Sequence, residues 1–149
     1  MFILQRMAKR LSFEGMLSRA NRCRRPPNDE EHEIQCSCVR WFALKYPHYR
    51  GLLFAVPNGG RRDAVTGAKL KDEGVLAGVS DLIFLKRNRR YCGLLIEIKR
   101  PKGRQSESQK EWEQIINSLG EFKYVCCHSF DEFRNEVEDF LNDLEKNGT

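Results

Sequence analysis

The sequence predicts an α/β fold with a central mixed sheet flanked by helices, and three observations lead there. Four short apolar runs, at 52–56, 81–85, 91–99 and 122–127, read as strands. Three longer segments repeat their apolar residues at helical spacing behind capping signals. The two kinds alternate in the order α-β-(α)-β-β-α-β-α, which suits helices packed on a sheet. At 149 residues and 40% hydrophobic, the chain holds one such domain with a sizeable core.

Residues 1–28 form a basic extension with seven Lys/Arg and one acid, Glu14, closed by Arg24-Arg25-Pro26-Pro27. Paired prolines make a stiff, non-helical joint. The extension reads either as disordered or as an arm that grips phosphates. Residues 29–149 make the folded domain. Asn28 with Glu31 resembles a capping box, and Ile34, Cys38, Trp41 and Phe42 follow at helical spacing until Pro47. The LLFAV run at 52–56 reads as a buried strand. A glycine-rich stretch, Pro57 to Arg62, separates it from a short helix over 64–73 that ends at Gly74.

The DLIFL run at 81–85 and the segment 91–99 are joined by a turn at 87–90, so a hairpin is expected. Ser106 with Gln109 makes a second capping box, and Trp112, Ile115, Ile116 and Leu119 give an amphipathic helix stopped by Gly120. A strand over 122–127 follows. Ser129 with Glu132 caps the last helix, which carries Phe133, Val137, Phe140, Leu141 and Leu144. Trp41, Trp112 and the phenylalanines read as core rather than as base-stacking platforms.

Net charge is +5, unevenly spread. Residues 1–104 carry 22 Lys/Arg against 10 Asp/Glu, and residues 105–149 carry 4 against 11. A basic body suits a polyanion such as nucleic acid, with the acidic end turned away from it. No apolar run approaches the ~20 residues that span a bilayer, and basic residues interrupt the opening MFILQRMAKR, which reads as neither signal peptide nor anchor. Six cysteines sit mostly within apolar segments and lack paired zinc spacings. They read as reduced, mostly buried thiols of a cytoplasmic protein.

One constellation carries chemistry. Asp81 opens the first hairpin strand, and Glu97-Ile98-Lys99 lies near the end of its partner. Side chains alternate along a strand, so Glu97 and Lys99 share a face. Antiparallel pairing brings Asp81 opposite them. Two carboxylates with an ammonium suit Mg²⁺ or Mn²⁺, which take hard oxygen ligands and phosphate oxygens. Lys99 would hold the attacking water and offset charge on phosphorus. An E-x-K triplet alone arises by chance in roughly half of chains this long, and a salt-bridged strand edge would also explain it. Yet Glu97 stands inside the apolar LLIEIK, where an unpaired carboxylate is costly to bury. A metal is one good partner for it.

From about Glu31 to the last helix, the residues resemble the VRR-NUC nucleases, a branch of the PD-(D/E)xK restriction-endonuclease-like group. The segments that carry the resemblance are Glu31 to Gln35, Pro57 to Gly60, Gly67 to Gly74, Gly78-Val79-Ser80-Asp81-Leu82, Ile96 to Lys99, and Gly103 to Ser106 with Gln109-Lys110. The family usually has proline just before the aspartate, where this chain has Ser80.

The resemblance implies a restriction-endonuclease-like core and Mg²⁺-dependent (or Mn²⁺-dependent) hydrolysis of DNA phosphodiesters that leaves 5′-phosphate ends. Asp81, Glu97 and the Ile98 carbonyl would hold the metal, with Glu31 reaching it through water. Lys99 would be the catalytic lysine, Gln109 a further site residue, and Gln35 would share the face of Glu31. Asn58, Gly59, Arg61, Arg62, Lys69, Arg100 and Lys102 would line the DNA path.

Stand-alone members of this type suggest a homodimer that resolves four-way junctions, of phage or prophage origin. Its partners would be branched DNA and a second copy, with neither a membrane nor a small-molecule substrate. Two other readings stand beside it: a nicking or flap endonuclease on branched or single-stranded DNA, and a non-catalytic DNA-binding module of the same fold. Taken singly, Glu31 and Gln109 also read as plain capping side chains, 58–60 as a plain turn, and 99–102 as a solvated loop.

Overall fold

The computed structural model of the chain describes residues 30–57 and 64–145. Helix α1 (Glu30–Lys45) begins with Glu30, Glu31 and Glu33 in its first turn and ends on Lys45, charges that oppose the helix dipole. Cys38 and Phe42 form its buried stripe. Pro47 stops it, and a 3₁₀ turn over Pro47–Tyr49, which the sequence did not suggest, leads into strand β1 (Leu53–Ala55). Helix α2 (Ala64–Asp72) has no buried residue among those whose burial is described, 65–72.

Strands β2 (Leu82–Phe84) and β3 (Gly93–Ile98) form the expected hairpin, with Leu82 opposite Ile96 and Phe84 opposite Leu94. Helix α3 (Glu107–Leu119) crosses over to β4 (Phe122–Cys127), which lies parallel to β3, and α4 (Phe130–Glu145) follows. Parallel neighbours need such a crossover. The sheet order is β1-β2-β3-β4, with β1 and β2 antiparallel. Among the described residues this is a mixed four-stranded sheet flanked by four helices, as expected.

Strand β3 is buried on both faces throughout, and its alternation sorts two environments. Leu94, Ile96 and Ile98 face the core, where they meet Phe42 of α1 and Phe133, Val137 and Phe140 of α4. Leu95 and Glu97 project to the other side, toward α3. There Trp112 meets Tyr124 edge to face at 5.8 Å. Both tryptophans and the described phenylalanines other than Phe54 are packing groups in this arrangement: Trp41 contacts Phe130 and Phe133, and Phe42 contacts Phe84.

Three expectations need correction. Strand β1 is not buried: it is the sheet edge, where Leu53 is covered while Phe54 and Ala55 are exposed. Helix α3 hides only part of its apolar stripe, because it packs on β4 along one margin; Trp112 and Ile116 are half-buried, and Ile115 and Leu119 are exposed. No two of the five described cysteines are joined by a disulfide, but only Cys38 and Cys127 are buried, while Cys36 and Cys92 lie on the surface. Burial pushes Cys38 and Cys127 up to about 12, so both stay protonated. Among the described residues, no helix is long and apolar enough to cross a membrane.

Asn88 holds the hairpin turn to the core. Its Oδ1 accepts from the Arg90 and Tyr91 amides at 2.9 and 2.7 Å, and its Nδ2 donates to Phe140 O at 3.1 Å. The side chain is buried, so alanine would strand all three partners. Asn88→Ala should cost about 3 kcal/mol, read as a lower urea midpoint at unchanged slope.

Candidate active site

The hairpin register delivers the first carboxylate. Continued one step past Leu82 and Ile96, it sets Asp81 across from Glu97. Asp81 Oδ2 accepts the Ile98 amide at 2.8 Å, which fixes its carboxylate at the end of the hairpin. Ser80 is fully buried, and its hydroxyl donates to Leu82 O at 3.2 Å. That bond stiffens the approach to Asp81 where a proline would do so through its ring.

Glu97 is fully buried on the α3 side of the sheet. Its Oε1 accepts from Lys99 Nζ at 2.6 Å and from Gln109 Nε2. Its Oε2 is buried with no hydrogen-bond partner among the described residues. Burial pushes this carboxyl up, the Lys99 hydrogen bond pulls it back and the nearby Asp81 pushes it up again, leaving it at about 7. For Lys99, burial acts to lower the ammonium, but the hydrogen bond and charge of Glu97, with Glu31 and Asp81 beyond, outweigh it and raise it. Lys99 is therefore a cation and a proton donor at neutral pH.

Gln109 serves two purposes at once. Its Oε1 accepts the Ser106 amide at 2.8 Å while its own amide donates to Ser106 Oγ, the complete capping box. Its Nε2 is left over for Glu97. The capping bonds and the bond to Glu97 coexist, because the three donors and acceptors point different ways. Glu31 Oε1 accepts the Arg100 amide at 3.2 Å, 69 positions away, while Asn28, its expected capping partner, lies outside the described residues. Gln35 is half-buried one turn along α1.

The structure thus brings Asp81, Glu97, Lys99 and Gln109 together, with Glu31 at the margin. No group of three His, Cys, Asp or Glu able to hold a metal forms among the described residues. A hard divalent cation still fits what is present. Two carboxylates face each other closely enough to repel, and one of them keeps a buried oxygen with nothing to satisfy it.

Arg100 and Lys102 are exposed just past Lys99. Lys69 is exposed on α2, where its ion pair is with Glu73 at 3.9 Å. Asn58, Gly59, Arg61 and Arg62 lie outside the described residues. Sequence reasoning missed the wall beside the carboxylates: Gln105 Nε2 donates to Glu113 Oε2 at 2.9 Å and to Tyr124 OH at 3.1 Å. No local pattern links those positions. It also missed Gly78, where a Cβ would stand 2.3 Å from Ser108 O; the glycine itself was visible, but its neighbour was not.

The VRR-NUC domain family model matches residues 29–131. A solved structure described as a VRR_NUC domain protein is similar with a TM-score of 0.66 at 23% identity, over 78% of this chain and 92% of that one. A likeness at that identity shows the fold. No curated protein matches.

Proposed function

The chain belongs to the VRR-NUC family, a nuclease-type fold, and on that premise we propose that it is a metal-dependent DNA endonuclease cutting branched DNA, four-way junctions foremost, as a homodimer. The observation that carries the catalytic part is Glu97: a fully buried carboxylate that faces Asp81, with Lys99 and Gln109 on one oxygen and nothing on the other. A scaffold that only binds DNA has no use for so costly a group.

Asp81, Glu97 and the Ile98 carbonyl would hold Mg²⁺ or Mn²⁺, with Glu31 acting through water. When bound, the cation would polarise the scissile phosphate and favour ionisation of a water. The side chains supply the rest. Gln109 and Lys99 fix one Glu97 oxygen, so the other is aimed at one point. The Asp81 carboxylate is held by the Ile98 amide across the hairpin from it. Lys99 stays protonated, so it donates to the attacking water or to a phosphate oxygen, and its charge offsets the negative charge that grows on phosphorus. Water oxygen bonds to phosphorus, the bond from phosphorus to O3′ breaks, and the proton lost by water is balanced by the one gained at O3′.

Two cuts in one junction need two sites, which a twofold dimer provides. The test is cleavage of labelled junction, flap, single-stranded and linear duplex DNA in Mg²⁺, Mn²⁺ or EDTA, beside Lys99→Ala, with the mass in solution measured in parallel. Paired symmetric cuts by a dimer, absent in EDTA and in Lys99→Ala, are expected. Cutting of flaps or single strands instead replaces the substrate and keeps the site. A monomer indifferent to junctions removes the resolvase, and binding without any cutting removes the enzyme.

A further inference from the structure

Directly after Lys99 the chain makes a turn whose backbone is at odds with its sequence. The Gly103 amide donates to Arg100 O at 2.8 Å, closing a β-turn with Pro101 second and Lys102 third. Lys102 has φ 63, the only non-glycine residue at positive φ among those described. That third position in a type II turn is filled with least strain by glycine. Strained backbone persists where the surroundings over-determine it, and it gathers at functional sites.

The surroundings here are specific. Glu31 accepts the Arg100 amide at the near side of the turn. At the far side, Gly103 O is 3.1 Å from His128 Nε2. A carbonyl only accepts, so Nε2 carries the proton. Glu132 Oε2 accepts the His128 backbone amide at 2.7 Å, which holds the residue in place. Gly103 has no slack, since a Cβ there would stand 2.9 Å from Arg100 O. Beyond it, Gln105 is tied to Tyr124 and Glu113. The turn so held displays Arg100, Lys102 and Arg104, all exposed and none ion-paired with a described residue.

From this geometry we infer that the 100–104 turn is a preset clamp for a DNA backbone phosphate beside the scissile one, with Lys102 the gripping residue and His128 the residue that positions the turn. The inference rests on the nuclease reading, gives Lys102 a defined contact and adds Arg104 and His128. Phosphate contacts set the register of a protein on DNA, and cations already in place lose less freedom on binding. A lysine kept where glycine would be at ease is the signature of a side chain needed at that spot.

The test measures affinity for a fluorescent four-way junction in Ca²⁺ across a salt series, with melting temperatures and with cutting in Mg²⁺ assayed separately. Lys102→Gly should melt about 3 °C higher, bind about tenfold more weakly at low salt, and lose about one unit of salt slope. Lys102→Ala keeps the strain and loses the charge, so it should bind as weakly without the gain in melting. His128→Ala should weaken binding several-fold, and His128→Gln, whose amide still donates to Gly103 O, should restore it.

Unchanged affinity and slope in Lys102→Gly, in a protein that binds and cuts junctions, would overturn the clamp and leave the nuclease standing. Equal loss in both His128 variants would remove His128 from it. A wild type that neither binds nor cuts DNA overturns both readings.

Discussion

Replacing Glu97 with glutamine should lower the single-turnover rate of DNA cleavage by about a thousandfold or more, equivalent to ~4 kcal/mol of transition-state stabilisation. The substitution is nearly isosteric. An amide oxygen at the Oε1 position still accepts from Lys99 and Gln109, so the local packing survives. What disappears is the charge opposite Asp81 and the oxygen left unsatisfied at Oε2. Thermal melting with and without Mn²⁺ separates this from misfolding: the wild type should be stabilised by the ion, and Glu97→Gln should not. A variant that still cut at a tenth of the wild-type rate would remove Glu97 from the reaction.

The same residue makes stability depend on pH in the metal-free chain. Its carboxyl sits at about 7 when folded against an ordinary 4.5. A raised carboxyl favours folding while it is protonated, so that contribution is whole below pH 4.5 and is lost as pH rises through 7. Between pH 5 and 8 the metal-free wild type should lose roughly 3 kcal/mol from this group. In Glu97→Gln that contribution should be absent. Because the ion needs the ionised form, Mn²⁺ affinity should fall as pH drops below about 7 and level off above it. Chemical denaturation across that range, with and without Mn²⁺, checks both signs.

Much of this site was legible because its parts are local or one turn apart. The apolar frame LLIEIK marked Glu97 as a buried charge, and the strand period put Lys99 beside it. Counting back through the hairpin turn set Asp81 opposite, and the observed register places it there. Elements with strong caps, such as Ser106 with Gln109 and the stop at Gly120, came out with their ends in place. The losses have one physical cause: position within the sheet is a tertiary property. A short apolar run such as LLFAV looks the same at an edge as at a centre, so the exposed face of β1 was invisible. The apolar stripe of α3 is wider than the contact it makes. The second bond of Gln109, the strain at Lys102 and the link from His128 to Gly103 each join positions with no shared pattern.

Gly78→Ala should destabilise the chain by about 3 kcal/mol or more, and the comparison that shows why is Gly74→Ala. Both glycines have strongly positive φ, 88 and 95. A Cβ at Gly74 meets nothing within 4 Å, so alanine there bears only the backbone penalty, about 1 kcal/mol. A Cβ at Gly78 would lie 2.3 Å from Ser108 O and 3.0 Å from the Gln109 amide nitrogen. Those are backbone atoms in the first turn of α3, so the clash is relieved only by moving the helix, adding roughly 2 kcal/mol or more. That movement carries Gln109 away from Glu97 and loosens the cap that Ser106 and Gln109 share. At a temperature where Gly78→Ala is still folded, its cleavage rate and its stabilisation by Mn²⁺ should both fall, while Gly74→Ala keeps both. Equal losses in the two variants would mean that the strained turn alone matters. A stable, active Gly78→Ala would mean that α3 is free to shift without disturbing the carboxylates, and Gln109 would then have no part in aiming Glu97.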